Sequence, residues 1–147
     1  MPLRFLYPGA EVPVVAVSRS APARPRELLA LGRALAPLRA AGILILGSGG
    51  VVHNLARLDR RGESAPVIDW ARGFDDWVRD RLEAGDAESL ASYERLAPHA
   101  ALAVPTSEHF DPLLVVVGAA GADGRVQDVY EGFRFGTLSM RSFTLST

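Results

Sequence analysis

Apolar side chains along this chain follow two rhythms, short unbroken runs and longer stripes at helical spacing, and their order predicts an architecture. Val12-Pro13-Val14-Val15-Ala16-Val17-Ser18 is a β-branched run with a polar end, which predicts a buried strand opening into a loop; Pro13 belongs near its start or on an edge. Ser20 to Pro25 is turn chemistry, and from Arg26 onward Leu28, Leu29, Leu31, Leu35 and Leu38 recur at helical spacing. Pro37 removes a backbone donor and crowds the carbonyl four residues earlier, so a kink or an early end is expected there. Beyond Gly42, the run Ile43-Leu44-Ile45-Leu46 between glycines predicts a strand buried on both faces.

Strand, helix and strand in that order predict a right-handed parallel crossover. Further on, Ile68, Trp70, Phe74, Trp77, Val78 and Leu82 mark a helix over Val67 to Glu83, with Asp75, Asp76, Arg79 and Asp80 assigned to its solvated face. A more polar helix is expected around Ala87 to Leu96. Thr106 or Ser107 is placed to cap another, whose first turn holds Glu108, His109 and Asp111 and tolerates Pro112. In the tail, Val126 to Tyr130 and Leu138 to Leu145 alternate as half-buried strands do. The expectation is one α/β domain over residues 1–147, a mixed or mostly parallel sheet flanked by helices, without repeats or low-complexity linkers.

Composition narrows the function more than the fold. The 147 residues, 48% hydrophobic and 22% charged, suit a single core that needs no disulfide or structural metal, and there is no cysteine to provide a thiolate. Sixteen basic residues, all arginine, against 17 acidic ones leave a net charge of -1, which argues against nucleic acid or anionic lipid as a partner. No apolar run approaches the roughly 20 residues of a membrane-spanning helix. The N-terminus lacks the order of a signal peptide, so a cytoplasmic protein is expected.

Candidate chemistry centres on the loop Gly47-Ser48-Gly49-Gly50 and on His53, which follows it beyond a predicted strand end, where ligands of α/β sheets gather. The glycines lack both a Walker lysine and G-x-G-x-x-G spacing, and Ser48 lacks the G-x-S-x-G of a nucleophile elbow, so a turn serine is the better reading. Of the three histidines, His99 sits in a small-residue loop and calls only for a structural or surface role. His53 and His109 each follow loop chemistry at the edge of an apolar element, where an imidazole can face a cleft and share a metal or divide ligand and acid-base duties. Their spacing matches no H-E-x-x-H or cysteine-histidine zinc pattern. Arg57, Arg60 and Arg61 form a short basic cluster that reads as a solvated loop, or alternatively as a carboxylate-recognition site.

Three blocks then bring a family into view: Leu31-Gly32-Arg33-Ala34-Leu35 through Gly47-Ser48-Gly49-Gly50-Val51-Val52-His53-Asn54-Leu55; Pro105-Thr106-Ser107-Glu108-His109-Phe110-Asp111-Pro112-Leu113-Leu114; and Gly136-Thr137-Leu138-Ser139-Met140-Arg141-Ser142. In this order they resemble the class III extradiol ring-opening dioxygenases, in the branch of DOPA 4,5-dioxygenase-like proteins. The resemblance implies a non-haem metal, Fe(II) in the catalytic form and often recorded as zinc, that takes a catechol through its hydroxyls while both atoms of O2 are inserted. It implies that His53 is at the active centre as metal ligand or acid-base residue, and that His109 completes the metal sphere. Neutral imidazole suits divalent iron, and histidine can take and return a phenolic proton near neutral pH.

The family also carries three N-terminal histidines, in an H-G block, after a strand, and in a D-H-G-x-W block, which this sequence lacks. The resemblance therefore covers a C-terminal half supplying at most two of the about three ligands a facial site needs, so Fe(II) or Zn(II) should bind weakly to this chain alone. The leading expectation is an extradiol dioxygenase half acting on a catechol-type molecule and O2, as a homo-oligomer or with a complementary N-terminal-half subunit. The rival readings are a non-catalytic remnant serving as an oligomerising or binding module, and an unrelated small α/β domain with structural histidines.

Overall fold

The computed structural model describes residues 2–18 and 23–146; Ser20, Ala21 and Pro22 of the expected turn lie outside them. Helix α1 (Pro2–Leu6) is short, α2 (Pro25–Leu35) opens on a proline at its first turn, and α3 (Pro37–Ala40) begins at the proline that ends α2. The stripe around Phe74 becomes α4 (Asp69–Glu83), burying Ala71, Phe74, Asp75, Val78 and Leu82. The expected polar helix is two single turns, α5 (Ala87–Leu90) and α6 (Tyr93–Leu96), followed by α7 (Ala100–Ala103). Helix α8 (Asp111–Ala120) closes the helical part, carrying Pro112 in its first turn as expected, with Phe110 rather than Thr106 or Ser107 at the cap position.

The core is built where α2, α4 and α8 meet. Phe74, Phe110, Leu28, Leu29, Leu90 and Leu114 are essentially inaccessible. Rings of Phe74, Tyr93 and Phe110 lie 4.3 to 6.4 Å apart centroid to centroid, mutually tilted or edge-on as aromatic quadrupoles prefer. Helices α2 and α8 cross at Gly32 and Gly118: a Cβ on Gly32 would collide with the Val115 carbonyl oxygen, and one on Gly118 with the Leu29 carbonyl oxygen. Arg39 caps the crossing, its guanidinium donating to Ala119 O at 3.1 Å and Ala120 O at 3.2 Å, the free carbonyls at the end of α8, and to Leu145 O at 3.0 Å.

The sheet departs from expectation. The described strands form two antiparallel ribbons, β1 (Arg125–Tyr130) with β4 (Ser142–Ser146) and β2 (Phe133–Arg134) with β3 (Leu138–Ser139). Neither Val12 to Ser18 nor Ile43 to Leu46 is a strand, so the parallel crossover and the mostly parallel sheet are not formed. Strands exist only as pairs, and no backbone hydrogen bond joins residues 12–18 or 44–49 to another described residue. Their apolar side chains face outward, with Val15 86% and Leu44 61% exposed. No described helix is long and apolar enough to cross a membrane.

The hairpin β2–β3 stitches the loop after the candidate site to the body, Phe135 N donating to Glu63 O and Ile68 N to Gly136 O, both at 2.9 Å. At the α2–α8 crossing, Gly32→Ala and Gly118→Ala should each lower stability by about 1–3 kcal/mol, because the added methyl meets backbone that cannot turn aside. Urea unfolding midpoints of the two variants will check it.

Candidate functional site

Residues 50–54 run between two fixed walls. On one side Ser139 N donates to Val52 O at 3.1 Å, and on the other His53 N donates to Ala103 O, also at 3.1 Å. Val52 and Asn54 are buried around the half-buried His53, and Asn54 fastens the segment to α7 through Nδ2 donating to Leu102 O at 2.8 Å. Its Oδ1 accepts from Ala56 N at 3.1 Å and starts a 3-10 turn, Leu55–Arg57. The His53 side chain thus leaves from a backbone with little freedom.

His109 arrives from another element, at the end of the 3-10 turn Ser107–His109, between exposed Glu108 and fully buried Phe110. The two imidazoles face each other with centroids 4.9 Å apart and planes tilted by 53°. One residue joins them: Gly50 N donates to His109 O at 2.8 Å, and Gly50 O lies 3.1 Å from His53 Nδ1. Only glycine fits beside it, since a Cβ on Gly49 would collide with the His109 carbonyl oxygen. The other ring nitrogen of His53, Nε2, lies 2.9 Å from Thr106 O. A neutral imidazole donates to one of these two carbonyls, an imidazolium to both.

His109 has no ring hydrogen bond to the described residues, which leaves it open to an outside partner. Glu108 lies beside the pair, its carboxylate accepting from Thr106 Oγ1 at 2.7 Å; that bond first, and the nearby histidines last, hold its carboxyl below the usual range. His99 lies elsewhere, exposed at the start of α7 with φ of 56°, its ring near Gly73 of α4. Ser48 lies exposed in its glycine loop. Of the arginine cluster, Arg61 is taken by Asp59, whose carboxyl it lowers to about 2, while Arg57 and Arg60 are exposed.

Two nitrogen donors at this spacing suit a divalent iron or zinc ion in part. Among the described residues no third histidine or carboxylate comes close enough to join them, so the residues present do not make a whole site. The acidic group that does converge, Asp75, Asp76 and Glu131, has a cation already: Arg141 Nη2 donates to Asp75 Oδ2 at 2.7 Å and to Glu131 Oε1 at 3.1 Å. Asp75 is 1% exposed, which corrects its assignment to the solvated face of α4. Its spacing from Ala71 and Val78 carried the signal, since residues 71, 74, 75, 78 and 82 follow one helical face.

The chain matches, over residues 1–143, the family described as the catalytic LigB subunit of aromatic ring-opening dioxygenase. It is 35% identical over 147 residues to the 4,5-DOPA dioxygenase extradiol of Beta vulgaris, covering all of this chain and 54% of that protein. With the protein of the same description from Escherichia coli K12 it shares 36% over 139 residues, 93% of this chain and 51% of the other. A crystal structure of an Escherichia coli K12 protein superposes with a TM-score of 0.86 at 34% identity, over 98% of this chain and 59% of that one. The chain spans about half the length of the curated relatives it matches.

Because the Gly49–Gly50 backbone holds both histidines, Gly49→Ala should part them, at a stability cost of about 1–3 kcal/mol. The proton-proton Overhauser contact expected between the two rings of the unaltered chain should vanish while the signals of His99 stay in place.

Proposed function

The chain belongs to the LigB family of aromatic ring-opening dioxygenases, and from that premise we propose that it is the C-terminal half of an extradiol enzyme that opens a catechol-type ring with O2. The observation that carries the reading is the pair of imidazoles with centroids 4.9 Å apart, joined through one glycine residue, Gly50. We assign His109, whose ring is open, as a ligand of Fe(II) or Zn(II). His53 is the acid-base residue beside it, and it joins the metal as well only if Nε2 leaves Thr106 O. When bound, the metal supplies Lewis-acid binding of the catechol oxygens and of O2.

The part played by this chain's own residues depends on the tautomer of His53, which we take to carry its proton on Nδ1. With its Nδ1 proton donated to Gly50 O, His53 presents Nε2 as the atom that receives a catechol proton. The Nε2–H so formed donates a hydrogen bond to Thr106 O, 2.9 Å away, which keeps the proton in place for return. The remaining metal ligands come from polypeptide outside this sequence, upstream in a longer protein or on a separate subunit, and the reaction is placed in the cytoplasm.

Zn(II) titration of the chain alone should give binding of roughly micromolar strength or weaker, since two imidazoles and water form an open sphere. His109→Ala should abolish it and His99→Ala leave it unchanged; stoichiometric zinc that survives dialysis would contradict the assignment. Co-expressed with the N-terminal half of the Escherichia coli relative and loaded anaerobically with Fe(II), the chain should consume O2 with a catechol. His53→Ala should then slow turnover by about 10²–10⁴-fold, whereas an inactive assembly with metal bound at His109 would refute the catalytic reading.

A second reading, a module that associates through its exposed apolar segments, is favoured by Val12 to Val17 and Leu44 to Leu46, which are largely exposed and make no backbone hydrogen bond to the other described residues. On either reading the chain should sediment as a dimer or larger at micromolar concentration, with the contact at Val12 to Val17. Val15→Glu should return it to monomer.

A further inference from the structure

Outside the histidine pair, the described residues with the densest buried polar bonding surround Arg141. Its side chain is wholly inaccessible, and it donates from Nε at 3.1 Å and Nη2 at 2.7 Å to Asp75, from Nη1 to Asp128 at 3.1 Å and from Nη2 to Glu131 at 3.1 Å. Burying such a group is costly, and apolar residues of similar volume often hold a core together as well. What distinguishes this network is where it leads. Ser139 Oγ donates to the second oxygen of Asp75 and accepts from Arg141 N at 3.2 Å, so the ion pair fixes Ser139 from two directions. The backbone N–H of Ser139 then holds Val52 O, on the peptide that precedes His53.

We propose that Asp75, Ser139 and Arg141 are positioning residues for His53, setting through the Val52 carbonyl the direction in which its ring leaves the backbone. The opposite wall, Ala103 O accepting from His53 N, belongs to α7, which packs on α4, the helix that carries Asp75. Both anchors of His53 are thus referred to one helix. A displaced Val52 peptide would carry the Cα of His53 with it and spoil the two carbonyl contacts that define its ring, to Gly50 and to Thr106. This rests on the assignment of His53 as the acid-base residue, since it concerns how that side chain is held.

The test uses the full chain, Ser139→Ala, Asp75→Asn, and Val78→Ala as a control that thins the same helix face and takes no part in the Asp75–Ser139–Arg141 hydrogen bonds. Long-range proton–nitrogen spectra resolve the rings of all three histidines. In the unaltered chain His53 should show two well-separated ring nitrogen shifts, the mark of one fixed tautomer. In Ser139→Ala and Asp75→Asn that separation should collapse to the averaged value of exposed His99, at temperatures well below unfolding, while Val78→Ala keeps it even where its melting point falls further. Should Asp75→Asn not fold, Ser139→Ala, the loss of one oxygen atom, decides alone. Unmoved His53 shifts in a folded Ser139→Ala would overturn the proposal, and so would an equal collapse in Val78→Ala. Zn(II) added to the same samples separates the two readings: no zinc binding by the unaltered chain overturns the metal assignment and leaves the tautomer result standing, whereas intact binding with unmoved shifts overturns the positioning alone.

Discussion

Everything at the candidate site depends on the approach of the Gly49–Gly50 backbone to the His109 carbonyl, closer than any side-chain-bearing residue allows. That approach lets a single glycine, Gly50, serve both histidines, its N–H on the backbone of one and its C=O on the ring of the other. The contact is steric before it is electrostatic. Gly47 repeats it one turn along α8, where a Cβ would press on Val116 and the Pro112 carbonyl, so the glycine loop lies flat against that helix. A loop rich in glycine resembles a phosphate cradle in sequence, and here its purpose is close packing of backbone on backbone.

How much of this was legible depended on whether the deciding partner was near in sequence. Helix α4 and the break at Pro37 were, because helical phase and a missing backbone donor are local properties. The runs Val12 to Val17 and Ile43 to Leu46 were read as strands and are not, because a β-branched run states a preference that only a hydrogen-bonded neighbour can realise. Their composition fits a buried strand, yet the described residues offer nothing to pair with or to bury them against. The convergence of His53 and His109 came from the family resemblance and not from spacing, since the bonds that join them run through the backbone of Gly50 and Thr106, where residue type leaves little trace.

Asp75 shows a different kind of miss. Its phase places it with Ala71, Phe74, Val78 and Leu82, and its charge alone assigned it to solvent. Charge was the weaker guide because a carboxylate is readily buried once a guanidinium binds it side-on, and Arg141 lies far along the chain. Burial works against the Arg141 charge, and the hydrogen bonds of Asp75 followed by the fields of Asp75, Asp128 and Glu131 outweigh it, holding the guanidinium more firmly protonated than an ordinary arginine. The tail is thereby locked to α4 by a buried ion pair between Arg141 and Asp75.

The two halves of the molecule's polar chemistry consequently behave in opposite ways. Around Arg141 every nitrogen of the fork and both oxygens of Asp75 are bonded within the chain, which makes that region closed and rigid. At the histidine pair, one ring is held by two carbonyls and the other is open, so bonding capacity is left over on the side away from the core. A metal site needs both qualities, ligands that do not wander and a coordination sphere that is not already filled. In the proposed assignment the rigid network supplies the first through the Val52 peptide, and the open ring of His109 supplies the second. On the proposed reading, what completes the sphere approaches from outside the described residues, among which no third histidine or carboxylate converges on the pair.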